Sequence, residues 1–478
     1  MVRLRKFLEK PVPSLESAMP RSPSPTVELP RLRAAVDGRV ITPDDPGYDQ
    51  ARTIFYGGFE RRPAAIVRPA DAAQVAQVVN LARDGGHELA VRAGGHSTAG
   101  HSLTEGGIVL DLSELSAIEV DPEARTAWAQ AGLTTGAYTA AVQAHGLVTG
   151  FGDTASVGVS GLTLGGGVGY LVRKYGLTID SLLAAELVTA DGQILEIDDE
   201  RHPDLFWAIR GGGGNFGVAT RLKFRLHPLD GIVGGMLLLP ATAQVIADFM
   251  AAAETAPEEL SGIANIMVAP PMPFLPPEAH GKLVVMAMLC YAGDAEAGQR
   301  ALAPFRALAE PLADMLQPAP YAVMFPPEEG EEEYHPTAVA HTMFMDTVDR
   351  QMADTIMEQL QASDAPVRVV QLRALGGAMA RVPVEATAFA HRHSRIMANV
   401  AAFYEGPADR DRRQAWVDGA AAALQQGDEG AYVNFLGDEG PERVRRAYPG
   451  STWDRLVEVK RRYDPDNLFR RNHNIPPA

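Results

Sequence analysis

Apolar residues recur along this chain at two periods, and the places where the period changes divide it. Residues 64–83 open with Ala-Ile-Val, turn at Arg68-Pro69, and continue with apolar positions at Val75, Val78, Val79 and Leu81. That spacing predicts a strand and then a helix, with Asp71 as the helix N-cap. Residues 88–92, Ile108–Leu112 and Ala127–Gln130 read as further short strands, and Thr134–Ala144 as a helix. Strand and helix alternate to about Gly150, which predicts a mixed α/β domain. Beyond it, Leu182–Thr189 and Ile194–Ile197 predict two strands joined by a tight turn at Asp191-Gly192. Asp204–Arg210 reads as a helix and Val218–Leu226 alternates as a strand.

After Pro228 the texture changes. Gly235–Pro240, Ile263–Val268 and Leu283–Leu289 are long apolar strands, and Arg368–Leu372, Ile396–Phe403 and Tyr432–Phe435 read as more of them. Ala295–Leu316 reads as a helix and 317–336 as a Pro/Glu-rich loop. Residues 231–437 therefore predict an antiparallel sheet with helices. Residues 438–478 return to helix and loop, and no fixed-period repeat runs through the chain.

Composition narrows the picture. A chain of 478 residues has room for two or three domains. Its net charge of −17 argues against a nucleic-acid partner, because phosphate binding needs basic surface. Cys290 is the only cysteine, so neither an intrachain disulfide nor a cysteine zinc cluster can form. A reducing, cytoplasmic location fits. Residues 1–30 are basic and then Pro/Ser-rich with no apolar h-region, so they read as a flexible leader rather than a signal peptide. No apolar run reaches the roughly 18 residues of a membrane span, so no membrane partner is expected.

Candidate chemistry gathers at glycines. Arg92-Ala-Gly-Gly-His-Ser97 is a string in which Gly94 and Gly95 let the backbone pass close to a ligand. Arg92 and the amides around Ser97 can face phosphate oxygens, with His96 at the end of that cradle. Taken alone, His96 is an ordinary hydrogen-bonded loop histidine. Glycines also crowd residues 150–170, interleaved with Val157, Val159, Leu162, Leu164 and Val168. Such an apolar, glycine-rich stretch is not a flexible linker; it lets the backbone approach a large ligand. Gly212-x-Gly214-x-x-Gly217 matches the dinucleotide fingerprint in spelling only. A helix precedes it and a strand follows, the reverse of what that motif needs. Ser156 and Ser160 lack the flanking glycines of a nucleophile elbow. His391-Arg392-His393 has no supporting ligand pattern, because adjacent side chains point apart, and no metal site is expected.

Four segments in order change the weight of these fragments: Arg92–Ser97, Gly152–Gly169, Leu205–Val218, and Tyr463–Phe469 with Asn474–Pro477. Together they resemble the berberine-bridge-enzyme-like flavoproteins of the vanillyl-alcohol-oxidase superfamily, from about residue 47 to the end. The resemblance implies an α+β fold: a PCMH-type FAD-binding domain of two α/β subdomains over residues 31–230, and an antiparallel-sheet substrate domain over 231–437 covered by helices. Residues 438–478 would return to the FAD domain. It implies FAD contacts at Arg92, Ala93, Gly94, Gly95, His96 and Ser97, then at Ser156, Val157, Gly161, Leu162 and Val218, with Asn472 and Asn474 near the flavin ring. The histidine aligned with His96 forms a covalent bond to the flavin in this family; His101, which lacks the preceding glycine pair, is the weaker anchor. The cysteine that tethers many members a second time aligns with Thr154, so a single attachment through His96 is expected.

The implied activity is that of an FAD-dependent oxidoreductase. A small secondary metabolite or carbohydrate would give hydride to the flavin, and dioxygen would take the electrons, with Val157 at the aligned oxygen gate. Tyr432 is the candidate base and Asn399 a second polar candidate on the same wall. Strand alternation would put Tyr432 and Asn434 on one face. An FAD dehydrogenase with another acceptor, or a catalytically silent flavin-binding protein, are the alternatives. Oligomeric state is not legible.

Overall fold

The computed structural model describes residues 26–37, 39–273, 275, 277–326 and 335–478. Two sheets build the first lobe. In one, strands Ala65–Val67, Ile108–Asp111 and Leu89–Arg92 run parallel, with Val40–Ile41 antiparallel at the edge. Helix Ala72–Gly85 crosses between the parallel strands. The Asp71 carboxylate accepts the Gln74 N–H at 2.8 Å and caps it, and Gly86 ends it at φ +64°. Its buried face of Val75, Val78 and Val79 packs against Val67, Leu89 and Leu110. The other sheet is wholly antiparallel, in the order Ile118–Asp121, Thr126–Gln130, Val218–Arg225, Leu182–Val188, Ile194–Ile197. Gly192 at φ +79° makes the tight turn between Leu182–Val188 and Ile194–Ile197. Helix Pro203–Ile209 leads into a 3-10 turn at Gly213–Asn215, and a strand follows, so the glycine fingerprint there is not a nucleotide-binding βα turn.

The second lobe rests on an eight-stranded antiparallel sheet. Its order is Ala313–Asp314, Ile232–Pro240, Leu283–Ala292, Leu260–Val268, Arg368–Ala374, Ile396–Phe403, Ala338–Met345, with Gln317–Ala319 also pairing on Ile232–Pro240. Helices Ala243–Thr255, Ala295–Arg306, Arg350–Ala362 and Pro407–Leu424 share one core with alternate strand residues such as Ala264, Ala287, Leu372 and Ala398. The period of two then forces Gln371, Arg373 and Asn399 onto the opposite face.

Several expectations are corrected. The helix begun at Ala295 stops at Arg306, and residues 313–314 are already a strand. Gln317–Ala319 and Tyr321–Met324 are structured within the expected loop, whose residues 327–334 lie outside the described residues. Tyr432–Phe435 is not a strand: Val433–Phe435 forms a 3-10 turn. Residues 1–25 of the expected leader lie outside the described residues. Its end is not a leader: Val27 is buried and helix Leu29–Ala35 packs on Ala72–Gly85. Among the described residues no helix is long and apolar enough to cross a membrane.

The C-terminal residues pack back on the first lobe, where Leu456, Val459 and Ile475 share a core with Phe206, Phe216 and Leu222. A fully buried ion pair organises this return. Lys460 Nζ donates to Asp464 Oδ2 at 2.6 Å, Asn215 O at 2.8 Å and Phe469 O at 3.1 Å. Asp464 in turn accepts the N–H groups of Leu468 and Phe469 at 2.8 and 2.9 Å. Asn215 holds the tail further on, accepting from Ile475 N and donating to His473 O. Breaking such a pair leaves a buried charge uncompensated. Lys460→Met is expected to lower unfolding free energy by about 3–5 kcal/mol in urea titration. Lys460→Met with Asp464→Leu should lose less than the single variant.

Candidate cofactor and substrate site

Between the lobes lies a cavity of about 1100 Å³. The loop after Leu89–Arg92 forms one end of its wall. Ala93, Gly94, Gly95, His96 and Ser97 all line it, and so do Val157, Gly161, Leu162 and Val218. Two loops meet there backbone to backbone at two glycines: a Cβ on Gly94 would stand 2.3 Å from Gly158 N, and one on Gly158 2.5 Å from Gly94 N. By contrast, a Cβ on Gly161 or Gly214 would meet nothing within 4 Å, so both glycines leave room on the cavity side.

His96 is held on two sides. Its Nε2 lies 3.0 Å from Ser156 Oγ, and the Phe55 ring stacks on it at 4.2 Å with 21° between planes. Burial pushes its pKa down to about 4, so the imidazole is neutral at physiological pH. His101 and His473, edge to face at 4.8 Å, line the cavity nearby, and burial lowers both pKa values. Thr154 lines the cavity, whereas Cys290 is buried in strand Leu283–Ala292 beside Val148, Tyr170 and Tyr321, its thiol pKa pushed up by burial.

Tyr432 is buried, and its hydroxyl oxygen accepts from Gly167 N at 2.9 Å, Val168 N at 3.3 Å and Asn434 Nδ2 at 2.9 Å. Burial raises its pKa, and these three donors pull it back. The 3-10 turn, not strand alternation, brings Tyr432 and Asn434 together. Across the cavity the large sheet presents Gln371, Arg373 and Asn399, and Asn399 Oδ1 has no partner among the described residues.

Three expected contacts are not where the sequence put them. Arg92 does not line the cavity. Its guanidinium turns into the first lobe, donating to Asp111 Oδ2 at 2.8 Å and Ala51 O at 2.7 Å, because a buried cation needs a carboxylate. Asn474 also lies outside the lining, with its Oδ1 buried and unpartnered among the described residues; Asn472 does line the cavity. Ser156 acts from behind His96 rather than as lining. His391 and Arg392 are engaged elsewhere, His391 Nε2 with Ala447 O at 3.1 Å and Arg392 with Asp180 at 2.8 Å. Sequence reasoning missed Phe55, Asp153, Gln371 and Arg373. The polar positions Gln371 and Arg373, two apart in an apolar strand, were the available signal for the last two.

A long, glycine-walled cleft between an α/β lobe and a helix-covered antiparallel sheet is the frame of a large-cofactor enzyme. Comparison with known proteins specifies it. The family described as FAD binding domain matches residues 63–198, and that described as berberine and berberine like matches 431–476. An uncharacterized FAD-linked oxidoreductase of Bacillus subtilis, YgaK, is 30% identical over 452 residues, covering 93% of this chain and 98% of the relative. (R)-6-hydroxynicotine oxidase of Paenarthrobacter nicotinovorans is 30% identical over 458 residues, covering 93% and 97%. The crystal structure of 6-hydroxy-D-nicotine oxidase from Arthrobacter nicotinovorans superposes with a TM-score of 0.83 at 28% identity, covering 93% of this chain and 98% of that one. The chain belongs to the berberine-bridge-enzyme-like family of FAD-linked oxidoreductases.

The cavity suits that cofactor: close-packed glycine backbones offer amides, Gly161 and Gly214 leave space, and Asn472 Oδ1 stands unpartnered among the described residues in the wall. The buried histidines also set an acid limit. His473 titrates near 4 in the fold against 6.5 in the unfolded chain, so the unfolded state binds more protons between those values. Its contribution to stability is complete above about pH 6.5 and is lost as pH falls toward 4. Melting temperature followed from pH 7 to 4 should fall across this window, and less steeply in His473→Gln.

Proposed function

We propose that the protein is an FAD-dependent oxidase of a small secondary metabolite or carbohydrate, with the flavin covalently attached through His96. The single observation that carries this reading is the position of His96: neutral, stacked on Phe55, bonded to Ser156, and lining the cavity. Neutral imidazole is the nucleophilic form that such a linkage needs. Thr154 occupies the wall where the family's second anchor aligns, and Cys290 lies away from it, which supports one tether.

Ala93–Ser97, Val157, Gly161, Leu162, Val218 and Asn472 would hold the FAD. When bound, FAD supplies an acceptor for hydride from a substrate C–H that bears oxygen or nitrogen. Tyr432 is the base that takes the hydroxyl or amine proton. Every hydrogen bond described to its oxygen is a donor to it, an arrangement that suits a phenolate better than a phenol. Asn399, with its free carbonyl oxygen, orients substrate from the sheet. Val157, whose carbonyl is fixed by Thr135 N at 2.9 Å, lines the cavity at the gate position and supports dioxygen as the electron acceptor.

Purified protein should be yellow and keep its flavin through acid precipitation. His96→Ala should release that flavin into the acid supernatant. Tyr432→Phe is expected to lower kcat by about 10²-fold with the flavin spectrum intact. Because burial raises the Tyr432 pKa, wild-type activity should climb with pH on the alkaline side, and the variant should lose that limb. Unchanged turnover removes Tyr432 from the mechanism. Oxygen uptake during turnover, read with an electrode, separates oxidase from dehydrogenase.

A further inference from the structure

Residues 152–157 form an irregular segment with no strand or helix of their own, yet they carry Ser156 against His96 and Val157 against the cavity. From the first lobe, Thr135 and Gly136 hold the carbonyls of this segment. Thr135 Oγ1 donates to Thr154 O at 2.6 Å, Gly136 N to Ala155 O at 3.0 Å, and Thr135 N to Val157 O at 2.9 Å. These bonds fix the backbone from one side.

The other side is held across the lobes. Arg373 of the large sheet forms an ion pair with Asp153 Oδ2, and Asp153 Oδ1 accepts Thr154 Oγ1 at 3.2 Å. The guanidinium does not hang free. Its Nε and NH2 donate to Gln371 Oε1 at 3.0 and 2.8 Å. Gln371 Nε2 donates to Asn265 Oδ1 at 2.8 Å, and Asn265 Nδ2 to Met286 O at 3.1 Å. The Arg373 guanidinium also lies 5.2 Å from the Phe435 ring centre, beside the turn that presents Tyr432. A continuous chain of donors and acceptors thus runs over three strands of the sheet into the 152–157 segment. Arg373 is 5% exposed in its side chain, and the fork of a guanidinium meets an amide oxygen and a carboxylate at once, which the single ammonium of lysine does less well.

We propose that Arg373, braced by Gln371, is a positioning residue that locks the 152–157 segment, and through Ser156 the His96 ring, in register with the second lobe. The inference rests on the reading that the cavity holds flavin beside His96. It assigns Asp153 and Arg373 to cofactor placement rather than to contact with substrate.

The test uses holoenzyme variants Arg373→Gln, Arg373→Lys, Asp153→Asn and the double variant Arg373→Gln/Asp153→Asn. Two readouts need no substrate: the fraction of flavin that survives acid precipitation, and the visible circular dichroism of the bound flavin. Arg373→Gln and Asp153→Asn should each cut the acid-stable fraction at least threefold and change the visible dichroism. Arg373→Lys should recover half or more of the loss, and the double variant should be no worse than the worse single one. Wild-type values of both readouts in Asp153→Asn, which keeps the side-chain volume, overturn the proposal even where Arg373→Gln fails to fold. A lowered melting temperature with both readouts unchanged overturns it too, since it assigns the pair to the fold alone. A colourless wild-type protein sinks the flavin reading itself. Wild-type flavin that acid releases sinks only the His96 linkage, and the dichroism then decides on Arg373.

Discussion

The site depends on one steric constraint: the contact of Gly94 with Gly158. The loop after strand Leu89–Arg92 and the start of helix Val159–Leu164 touch backbone to backbone, at separations where a Cβ on either side would overlap a main-chain nitrogen. Only glycine satisfies that approach. Because the two loops meet, His96 comes within hydrogen-bond distance of Ser156, and Phe55 closes over the ring. The low basicity of His96 follows from the burial that this closure creates.

The opposite wall obeys a different rule. A strand of period two cannot send neighbouring side chains the same way. Leu372 therefore joins the helix-covered core, while Gln371 and Arg373 must enter the cavity. A buried guanidinium is costly unless it is paired. Asp153 supplies the partner from the other lobe, so the solvation of one arginine ties the lobes together. Lys460 does the same for the C-terminal return, with every donor of its ammonium group used.

What the sequence showed was local. Asp71 capping its helix, Gly192 in its turn, and the long apolar strands of the second lobe are set by residues a few positions apart. So are the glycine loops, which is why most of the lining around His96 was legible. Partners far apart in the chain were not. Arg92 looked like a phosphate ligand because no periodicity reveals that Asp111 stands beside it in the neighbouring strand. Asp153 and Arg373 are 220 positions apart. The 3-10 turn at Val433–Phe435 is too short for either period to distinguish, and its apolar residues imitate a strand.

The cavity wall draws on Phe469, Arg471, Asn472 and His473; the Lys460–Asp464 pair holds both backbone groups of Phe469, and Asn215 holds the carbonyl of His473. These residues are translated after both sheets. A nascent chain that has already paired every strand still lacks one side of its cleft until residues 464–475 leave the ribosome. The cavity wall is therefore completed only by residues that follow every strand of both sheets in the chain.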